Sequence, residues 1–349
     1  YSAIQSDSIS GNEASPVSFT KNFTDVGIPD THTATILWGD TSSSAGTITE
    51  PSGSTPGTVS GTHTYADNGT YTVTVTVCDD DGGCDSDTFT ATIANVDPTV
   101  DANGPYSVNE GSSVTLNATG FDVAGPADPL TYAWDLDNNG SFETPGQSVP
   151  FNGIDGPSTH TVNVQVNDGD GGIAVDTTTV TVNNVDPTIV TTFQVAPIPE
   201  ASVSTSGNLV AQATDPAGSN DPLAFDFDCD NNGSYETPSN PSTSAADCYF
   251  DDNGSYTVGV RVTDGDGGQA IGSVIAVVTN VSPTAFIPNV GPVDEGSPAV
   301  ITFEAEFDPS VADTTAGFHY SVACDGLASS LAGSYAAAGT SDSVNCVYG

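Results

Sequence analysis

The sequence has almost no positive charge. Of its 349 residues only Lys21 and Arg261 are basic, against 45 Asp and Glu, and the formal net charge is −43. Proteins that bind nucleic acids or anionic lipid surfaces use clusters of Lys and Arg, which displace counterions from the phosphates. The composition therefore excludes nucleic-acid binding and a polybasic attachment to lipid.

Methionine and long apolar runs are also missing. Because the sequence contains no Met, we expect a mature product or a segment of something longer, with any export signal outside it. No apolar run approaches the roughly 20 residues of a membrane span, so we expect no membrane insertion in this segment. The 36% of hydrophobic residues are regularly spaced, which argues against disorder in spite of the charge.

The chain contains a long internal repeat. Its boundaries read A-N-V-D-P-T at 94–99, N-N-V-D-P-T at 183–188 and T-N-V-S-P-T at 279–284. Period-2 alternation between turns rich in Asp, Gly, Asn and Pro is typical of a β-sandwich. We therefore predict an all-β protein, a linear array of immunoglobulin-like sandwiches. The predicted repeats are 1–97, 98–186, 187–282 and an incomplete 283–349, which lacks its last two strands and their hairpin.

One stretch of the first repeat resembles a known family. H-T-Y-A-D-N-G-T-Y-T-V-T-V-T-V-C-D at 63–79, downstream of W-G-D at 38–40, is similar to the polycystic-kidney-disease-type (PKD) repeat. The third repeat is similar, whereas the second has His160 where the others have Tyr71 and Tyr256. The resemblance implies an immunoglobulin-like fold and a role as a spacer or surface module of extracellular proteins. It implies no activity, because fold alone does not give one.

One acidic motif, D-x-D-x-N-G-x-x-E, occurs twice. Oxygen ligands at alternating positions of a tight loop converge on one point and the Gly permits the reversal, as in the first half of an EF-hand loop. The motif predicts a Ca²⁺ ion in each loop, and the alternative is an Asx turn without an ion. The candidate ligands are Asp135, Asp137, Asn139 and Glu143 in the second repeat and Asp228, Asp230, Asn232 and Glu236 in the third.

A second kind of calcium site is predicted at the joints between repeats. There the linker, the hairpin of the preceding repeat and a Glu of the next repeat could meet, similar to the joints of cadherin-type repeats. The candidates are Asn95, Asp97, Asp80 or Asp81, and Glu110 at the first joint, and Asn183, Asp186, Asp170 and Glu200 at the second. Ser282 replaces the Asp at the third joint, which should bind less well. The alternative is that Asp-Pro merely turns the chain and the Glu faces solvent.

The six cysteines pair naturally within repeats. Cys78 and Cys84 flank a turn, whereas Cys229 with Cys248 and Cys324 with Cys346 occupy corresponding places in two repeats. That correspondence indicates equivalent disulfides and an oxidising, extracytoplasmic setting. A zinc site needs close Cys or His pairs, and no C-x-x-C or H-x-x-x-H is present.

Nothing in the sequence marks a catalytic site, and we predict that the protein is not an enzyme. Pairs of Asp that could mimic the two carboxylates of a glycosidase recur in every repeat, which favours loop and ion-ligand roles. Asn22, Asn117 and Asn280 lie in N-x-S/T sequons and are predicted glycosylation sites.

These observations predict a structural protein outside the cell or at its surface. It would be a calcium-rigidified rod or the subunit of a surface fibre, which either self-associates into a polymer or continues as a longer chain. The fourth repeat would be completed by further residues of the same chain or by a strand of a neighbour. The alternative is an adhesive or spacer arm, binding glycans or a surface, of a larger secreted protein or hydrolase. Exposed aromatic residues in a planar row would favour carbohydrate binding, whereas Trp38 and Trp134 occupy expected core positions.

Overall fold

The computed structural model describes residues 8–26, 30–204, 208–236 and 248–347. Strands and turns make up this part of the chain, apart from one short helix, α1 (Val311–Ala316), and three single 3₁₀ turns at Gly218–Asn220, Ala328–Ser330 and Tyr335–Ala337. Every sheet takes its strands from one of the four predicted repeats. The all-β prediction is therefore confirmed.

The first repeat is a sandwich of two sheets, ordered β1-β8-β7-β3-β4 and β2-β6-β5. Inward-facing residues alternate with outward-facing ones along β2, as a half-buried strand requires. Trp38 is fully buried in the core between the sheets. The strands are β1 (Ile9–Asn12), β2 (Pro16–Phe23), β3 (His32–Leu37), β4 (Ser43–Ala45), β5 (Thr47–Thr49), β6 (Gly57–Thr64), β7 (Gly69–Asp79) and β8 (Cys84–Ala94).

The second repeat has a five-stranded sheet, β10-β17-β16-β13-β14, and two strand pairs, β11-β15 and β9-β12. Trp134, on β13, is fully buried, so both Trp residues lie in cores as predicted. The strands are β9 (Thr99–Asp101), β10 (Tyr106–Asn109), β11 (Ser113–Asn117), β12 (Thr119–Phe121), β13 (Thr131–Asp135), β14 (Thr144–Pro145), β15 (Ser148–Asn152), β16 (Ser158–Asn167) and β17 (Ile173–Asn183).

The third repeat has a four-stranded sheet, β19-β25-β24-β22, and the pairs β18-β21 and β20-β23. Phe227 takes the core position that Trp fills in the first two repeats. The strands are β18 (Thr188–Gln194), β19 (Ile198–Pro199), β20 (Ser202–Val203), β21 (Leu209–Thr214), β22 (Ala224–Asp228), β23 (Tyr249–Phe250), β24 (Gly254–Thr263) and β25 (Gln269–Thr279).

The fourth repeat is the least complete. It has two strand pairs, β26-β28 and β27-β29, and the helix α1. Its strands are β26 (Thr284–Phe286), β27 (Pro298–Thr302), β28 (Glu304–Phe307) and β29 (Ser343–Val347).

A parallel strand pair recurs in the first three repeats and positions an acidic residue. β1 pairs with β8, β10 with β17 and β19 with β25, each in parallel. The Glu after the short strand then donates its backbone N–H to the last residue of the long strand: Glu13 to Ala94, Glu110 to Asn183 and Glu200 to Thr279. Each Glu therefore lies beside the linker that leaves its own repeat.

The chain divides into two compact units. The first comprises residues 1–153 and 157–183, and the second comprises residues 154–156 and 184–349. The joint between the first and second repeats lies in the first unit, and the joint between the third and fourth repeats lies in the second.

Candidate metal sites

Carboxylates of two consecutive repeats meet at the first joint. Glu13, which follows β1, Asp67, in the turn before β7, and Asp128, before β13 of the second repeat, each offer an oxygen within 4.8 Å of the others. The negative charge of Asp122 also raises the pKa of Asp128. We call Glu13, Asp67, Asp122 and Asp128 the first-joint cluster.

The cluster is buried and short of hydrogen-bond donors. Glu13 is 0% exposed and Asp128 is 1% exposed. Within the described part of the chain no donor reaches Glu13 Oε2, Asp67 Oδ1, Asp122 Oδ2 or either carboxylate oxygen of Asp128. A buried charge without a partner is costly, so this arrangement calls for a cation.

Two backbone hydrogen bonds hold the cluster in place. Val96 N–H donates to Glu13 Oε1 over 2.6 Å, and Ala124 N–H donates to Asp122 Oδ1 over 2.7 Å. The first ties Glu13 to the linker between the repeats, and the second fixes a turn of the second repeat. Glu13 and Asp122 are thus each oriented through one oxygen, and their other oxygen is free of donors among the described residues.

The electrostatics of the cluster are unfavourable at neutral pH. Burial, together with the charges of Glu13, Asp67, Asp170 and Asp122, raises the pKa of Asp128 to about 6. Two carboxylates 4.8 Å apart repel by about 3 kcal/mol at an effective dielectric constant near 20. A divalent cation would convert this repulsion into attraction.

The linker adds a second group of ligands next to the cluster. Asn95 Nδ2 donates to Asp168 Oδ2 over 2.8 Å, while Asn95 Oδ1 is buried without a donor among the described residues. A Cβ added at Gly172 would lie 2.0 Å from Asp168 Oδ2 and 3.0 Å from Asp97 Oδ1. The side chains of linker and hairpin thus converge over a position that only Gly can fill.

The third repeat begins with the same arrangement. Asn184 Nδ2 donates to Asp264 Oδ2 over 3.3 Å, and a Cβ at Gly268 would lie 2.3 Å from Asp264 Oδ2 and 2.8 Å from Asp186 Oδ1. Burial raises the pKa of Asp221; the N–H of Gly265 opposes the shift and neighbouring Asp charges add to it. The linker Asn and the hairpin Asp therefore form a recurring unit.

The third joint resembles the first, but both carboxylate oxygens of its Glu have hydrogen-bond donors. Glu200, Asp252 and Asp313 each place an oxygen within 4.8 Å of the others. Val281 N–H donates to Glu200 Oε1 over 2.5 Å, as Val96 does to Glu13, but Asn253 N–H also donates to Glu200 Oε2 over 3.1 Å. Burial and the nearby negative charges of Glu200 and three Asp raise the pKa of Asp313. This joint has the acidic group without the orphaned Glu oxygen.

An equivalent acidic group at the start of the first repeat contains a histidine. His32 Nδ1 lies 2.7 Å from Glu50 Oε2, and its Nε2 lies 3.2 Å from Asp25 Oδ2. Burial opposes the charged form, but the hydrogen bonds and charges of Glu50 and Asp25 outweigh it and raise the pKa of His32. Two carboxylates here share one histidine as their hydrogen-bond partner, and they favour its charged form.

The joint sets predicted from the sequence were wrong in their combination of residues. Asp81 lies in the turn before β8, whereas Asn95 follows it, and an 11-residue strand separates two points by more than about 30 Å. Glu110 is likewise separated by β17 from Asp168, which contacts Asn95. The linker instead meets the Glu of the preceding repeat and the hairpin of the following one.

The second predicted set fails for the same reason. Glu200 lies at the end of β25 with Asp252 and Asp313, whereas Asp186 accepts the N–H of Gln269 at the start of that strand. Asp170 instead lies in the β16–β17 turn, where its charge raises the pKa of Asp128.

The amide of Asn183, another member of that set, donates to Ser107 Oγ and Val108 O. The linker Asn that reaches a hairpin Asp is its neighbour Asn184.

The D-x-D-x-N-G-x-x-E loops adopt the predicted tight turns. Asp135, Asp137 and Glu143 place oxygens within 4.8 Å of one another. Asn139 N–H and Gly140 N–H donate to the two oxygens of Asp135, over 3.1 and 2.9 Å. Asn139 Nδ2 donates to Asp137 and to Glu143. The loop supplies hydrogen-bond donors to its own carboxylates.

The loop in the third repeat behaves in the same way. Asn232 N–H and Gly233 N–H donate to the two oxygens of Asp228, and Asn232 Nδ2 donates to Asp230. Glu236 Oε2 accepts the N–H of Cys229 over 2.8 Å. Calcium in these two loops stays a prediction, with weaker support than at the first joint.

Sequence reasoning missed most of the first-joint cluster as ligands. Asp122 and Asp128 recur as a pair in every repeat, and Glu13 recurs as a landmark, but neither pattern shows that they meet. Asp67 belongs to a D-N-G turn that is typical of a structural turn. One sequence signal could have pointed to these residues. A pair of Asp recurs in the same loop of every repeat, although a turn needs only one Asp.

The remaining predicted residues are in place. The structure pairs Cys78 with Cys84, Cys229 with Cys248 and Cys324 with Cys346, which confirms the disulfide prediction. The sequon residues Asn22, Asn117 and Asn280 are all exposed, and glycosylation there stays a prediction. No helix among the described residues combines the length and the apolar character needed to cross a membrane.

Comparison with known proteins agrees with this architecture. Residues 4–93 match the family model of the PKD domain. No curated protein matched the chain. Similar solved structures include titin domains I67–I69 (13% identity over 79% of this chain and 96% of that chain, TM-score 0.34), Drosophila N-cadherin EC1–4 (16%, 78% and 72%, 0.27) and the human desmocollin-1 ectodomain (15%, 86% and 65%, 0.26). These TM-scores are too low to carry an argument. The assignment of immunoglobulin-like repeats therefore depends on the strand order of this chain itself. Residues 4–93 thus match the PKD domain, and the chain is an all-β tandem array of immunoglobulin-like sandwiches, which is consistent with tandem PKD-like repeats.

Proposed function

We propose that the protein is an extracellular structural rod, or a subunit of a surface fibre, whose joints are stiffened by Ca²⁺. Tandem PKD and immunoglobulin-like arrays belong to the class of adhesion or structural modules. The observation that carries the finer proposal is the first-joint cluster. There two repeats present buried carboxylate oxygens to one another, and the described chain supplies no donor to them.

The donor set fits Ca²⁺ better than other common metal ions. The first-joint cluster offers only oxygen atoms, from carboxylates and from the amide of Asn95. Ca²⁺ accepts six to eight such oxygens in irregular geometry, whereas Mg²⁺ demands an octahedron and keeps its waters. Zinc prefers His and Cys, and all six Cys are in disulfides.

The mechanical role follows from where the ligands come from. Glu13 and Asp67 belong to the first repeat, and Asp122 and Asp128 belong to the second. A cation bound by both pairs would fix the second repeat relative to the first. Removing it would restore the mutual repulsion of the carboxylates and loosen the joint.

Disulfides and composition support an extracytoplasmic role. Disulfides persist in oxidising compartments, and the exposed sequons could carry glycans there. A net charge of −43 opposes association between chains until cations neutralise part of it. Polymerisation in the presence of calcium is therefore part of the proposal.

The alternative, an adhesive or spacer arm, would use exposed aromatic residues for glycan binding. Both Trp residues are 0% exposed, which removes the side chains best suited to stack on a sugar ring. The exposed aromatic side chains of the described residues are Phe and Tyr, among them Phe121, Tyr249 and Tyr335. We favour the structural role because the first-joint cluster supports it.

Electron microscopy of the protein from its native source tests this proposal. We expect ordered fibres or straight rods in millimolar Ca²⁺ that loosen in chelator. The Asp128→Asn variant should stay loose in Ca²⁺, whereas Asp137→Asn, its matched control in the loop, should respond like the wild type. Fibres indifferent to chelator would remove the calcium mechanism, and flexible isolated chains in both conditions would favour the spacer arm.

A further inference from the structure

The outward side of β25, in the third repeat, is apolar and exposed. Side chains alternate along this strand, and those that point away from the core include Ile271, Ile275 and Val277. They are 74%, 52% and 47% exposed. A contiguous apolar patch on the surface of a protein marks an interaction site. We call the outward side of β25 and of its neighbour β24 the third-repeat face.

The fold itself does not require apolar residues at these positions. The hairpins β7–β8, β16–β17 and β24–β25 are equivalent, and their second strands begin at Cys84, Ile173 and Gln269. At the positions of Ile271, Ile275 and Val277 the first repeat therefore has Ser86, Thr90 and Thr92, and the second has Val175, Thr179 and Thr181. Thr is as suitable for a strand as Ile or Val, so β25 would form with Thr as well. A partner that covers the face accounts for the difference.

The third-repeat face carries no acidic side chain in a strongly acidic protein. None of the outward residues of β25 ionises; they are Gln269, Ile271, Ser273, Ile275, Val277 and Thr279. Arg261 is the one charged residue on the outward side of β24, and its Nε and Nη2 donate to Asp226 Oδ2 over 3.0 and 2.8 Å. With a net charge of −43, two copies of the chain repel each other wherever their acidic turns meet. Two neutral faces can approach without that penalty.

The edge of β25 is already occupied, so a partner has to pack on its face. β19 pairs with one end of the strand. Farther along, Gln194 Nε2 donates to Val277 O over 2.9 Å, and Gln194 Oε1 accepts the N–H of Val277 over 2.7 Å. Thr192 Oγ1 donates to Ser273 O over 2.7 Å. These bonds use the backbone groups that an added strand would need, which leaves packing of sheet against sheet.

We propose that the third-repeat face binds the same face of a second copy of the chain. The contact is isologous, since a twofold axis brings the face onto its own counterpart. A basic partner would be attracted to the acidic turns instead, whereas a neutral apolar face is complementary to another neutral apolar face. The inference rests on the proposed function in one respect, because it names the surface for the self-association proposed there, but it needs no calcium.

The size of the face predicts a weak and reversible contact. β24 and β25 have 10 and 11 residues, and with about 3.4 Å per residue and about 4.8 Å between strands they span about 340 Å². With the rest of the four-stranded sheet, two copies would bury about 900 Å² in total, which is at the low end for specific interfaces. Repeated contacts between the copies of a fibre would strengthen the association.

Analytical ultracentrifugation of the full chain in chelator tests the proposal without calcium. At high salt, which screens the repulsion between acidic surfaces, we expect a monomer–dimer equilibrium with a Kd on the order of 100 µM. The triple variant Ile271→Ser, Ile275→Thr and Val277→Thr carries the residues of the first repeat and should raise this Kd about tenfold or more. Val203→Thr is the matched control, because Val203 is 51% exposed on β20, in another sheet of the same repeat. It should associate like the wild type.

A cross-linking experiment locates the contact. Photo-reactive benzoylphenylalanine in place of Ser273, in the middle of the face, should cross-link to β24 or β25 of a second copy, whereas the same group in place of Val203 should not. A wild type that stays monomeric, a triple variant that associates equally well, or cross-links from position 273 to another region would overturn the proposal. Association that needs Ca²⁺ and is unchanged in the triple variant would also overturn it, while leaving the calcium joints in place. Association in chelator that the triple variant loses would support the face, whatever the joints bind.

Discussion

Asp128 at the first joint and Asp135 in the second repeat's loop are the same residue type, and each is 1% exposed. Burial opposes the charge of Asp135, but the N–H groups of Gly140 and Asn139 outweigh it and lower the pKa of this carboxyl. Both oxygens of Asp128 lack a donor among the described residues, and its pKa rises to about 6. Equal burial thus gives opposite shifts, because only one of the two sites carries its own donors.

On this difference rests our proposal that the first joint, more than the acidic loop, binds a metal ion. The motif that looks most like a calcium loop, D-x-D-x-N-G-x-x-E, has a backbone that already stabilises its first carboxylate. The first-joint cluster has no such motif, but several of its carboxylate oxygens have no donor among the described residues, so an external cation would stabilise them. Whether a carboxylate would gain from a bound cation therefore depends on how many of its oxygens lack a hydrogen-bond donor in the fold.

The largest expected effect is the loss of calcium stabilisation at the first joint. At a free Ca²⁺ concentration of 100 times the Kd, one site stabilises the folded state by about 2.7 kcal/mol. We expect Asp128→Asn to abolish this gain for the first compact unit, and Asp137→Asn to keep it, in calorimetric melts with and without chelator. Equal gains in wild type and Asp128→Asn would contradict the assignment.

In chelator, substitution of Asp128 and substitution of Asp135 should change the free energy of unfolding in opposite directions. Asp128→Asn removes a repulsive charge and should stabilise the calcium-free protein by about 1 kcal/mol. Asp135→Asn weakens the acceptor of two backbone N–H groups and should destabilise the calcium-free protein. Denaturant titrations in chelator measure both changes, and destabilisation by both variants would break the comparison.

The pH dependence of the stability of the calcium-free protein should reflect the titration of Asp128. The ordinary pKa of an Asp side chain is 3.8, whereas the pKa of Asp128 in the fold is about 6, so between these values the folded state holds more protons than the unfolded one. Stability should then fall as the pH rises from about 4 to about 6 and stay at the lower level above. Melts in chelator across this range should show the fall in wild type and lack it in Asp128→Asn.

The smallest expected effect concerns the linker at the third joint. Ser282→Asp restores the residue that the first two linkers have at this position and should raise the calcium affinity of the third joint a few-fold. Ser282→Asn is the matched uncharged control. Calcium titrations of the two variants in equal salt would show the difference, and equal affinities would mean that the linker Asp is not a ligand.

How much the sequence predicts depends on how far apart the interacting residues lie. The all-β class, the three disulfides, the buried Trp38 and Trp134 and the turns of the D-x-D-x-N-G loops follow from local patterns and from correspondence between repeats. The joint ligands do not, because the parallel pairing of β1 with β8 places Glu13 beside Val96, 83 positions along the chain. Without that pairing, the hairpin Asp was assigned to the wrong end of its sandwich.

Calorimetric titration of Ca²⁺ into the full chain tests the central claim most directly, with wild type, Asp128→Asn and Asp137→Asn compared after exhaustive chelation. We predict that Asp128→Asn loses the tightest class of sites seen in the wild type, while Asp137→Asn keeps it. Loss of that class in Asp137→Asn, with Asp128→Asn unchanged, would place calcium in the loops and contradict the joint mechanism.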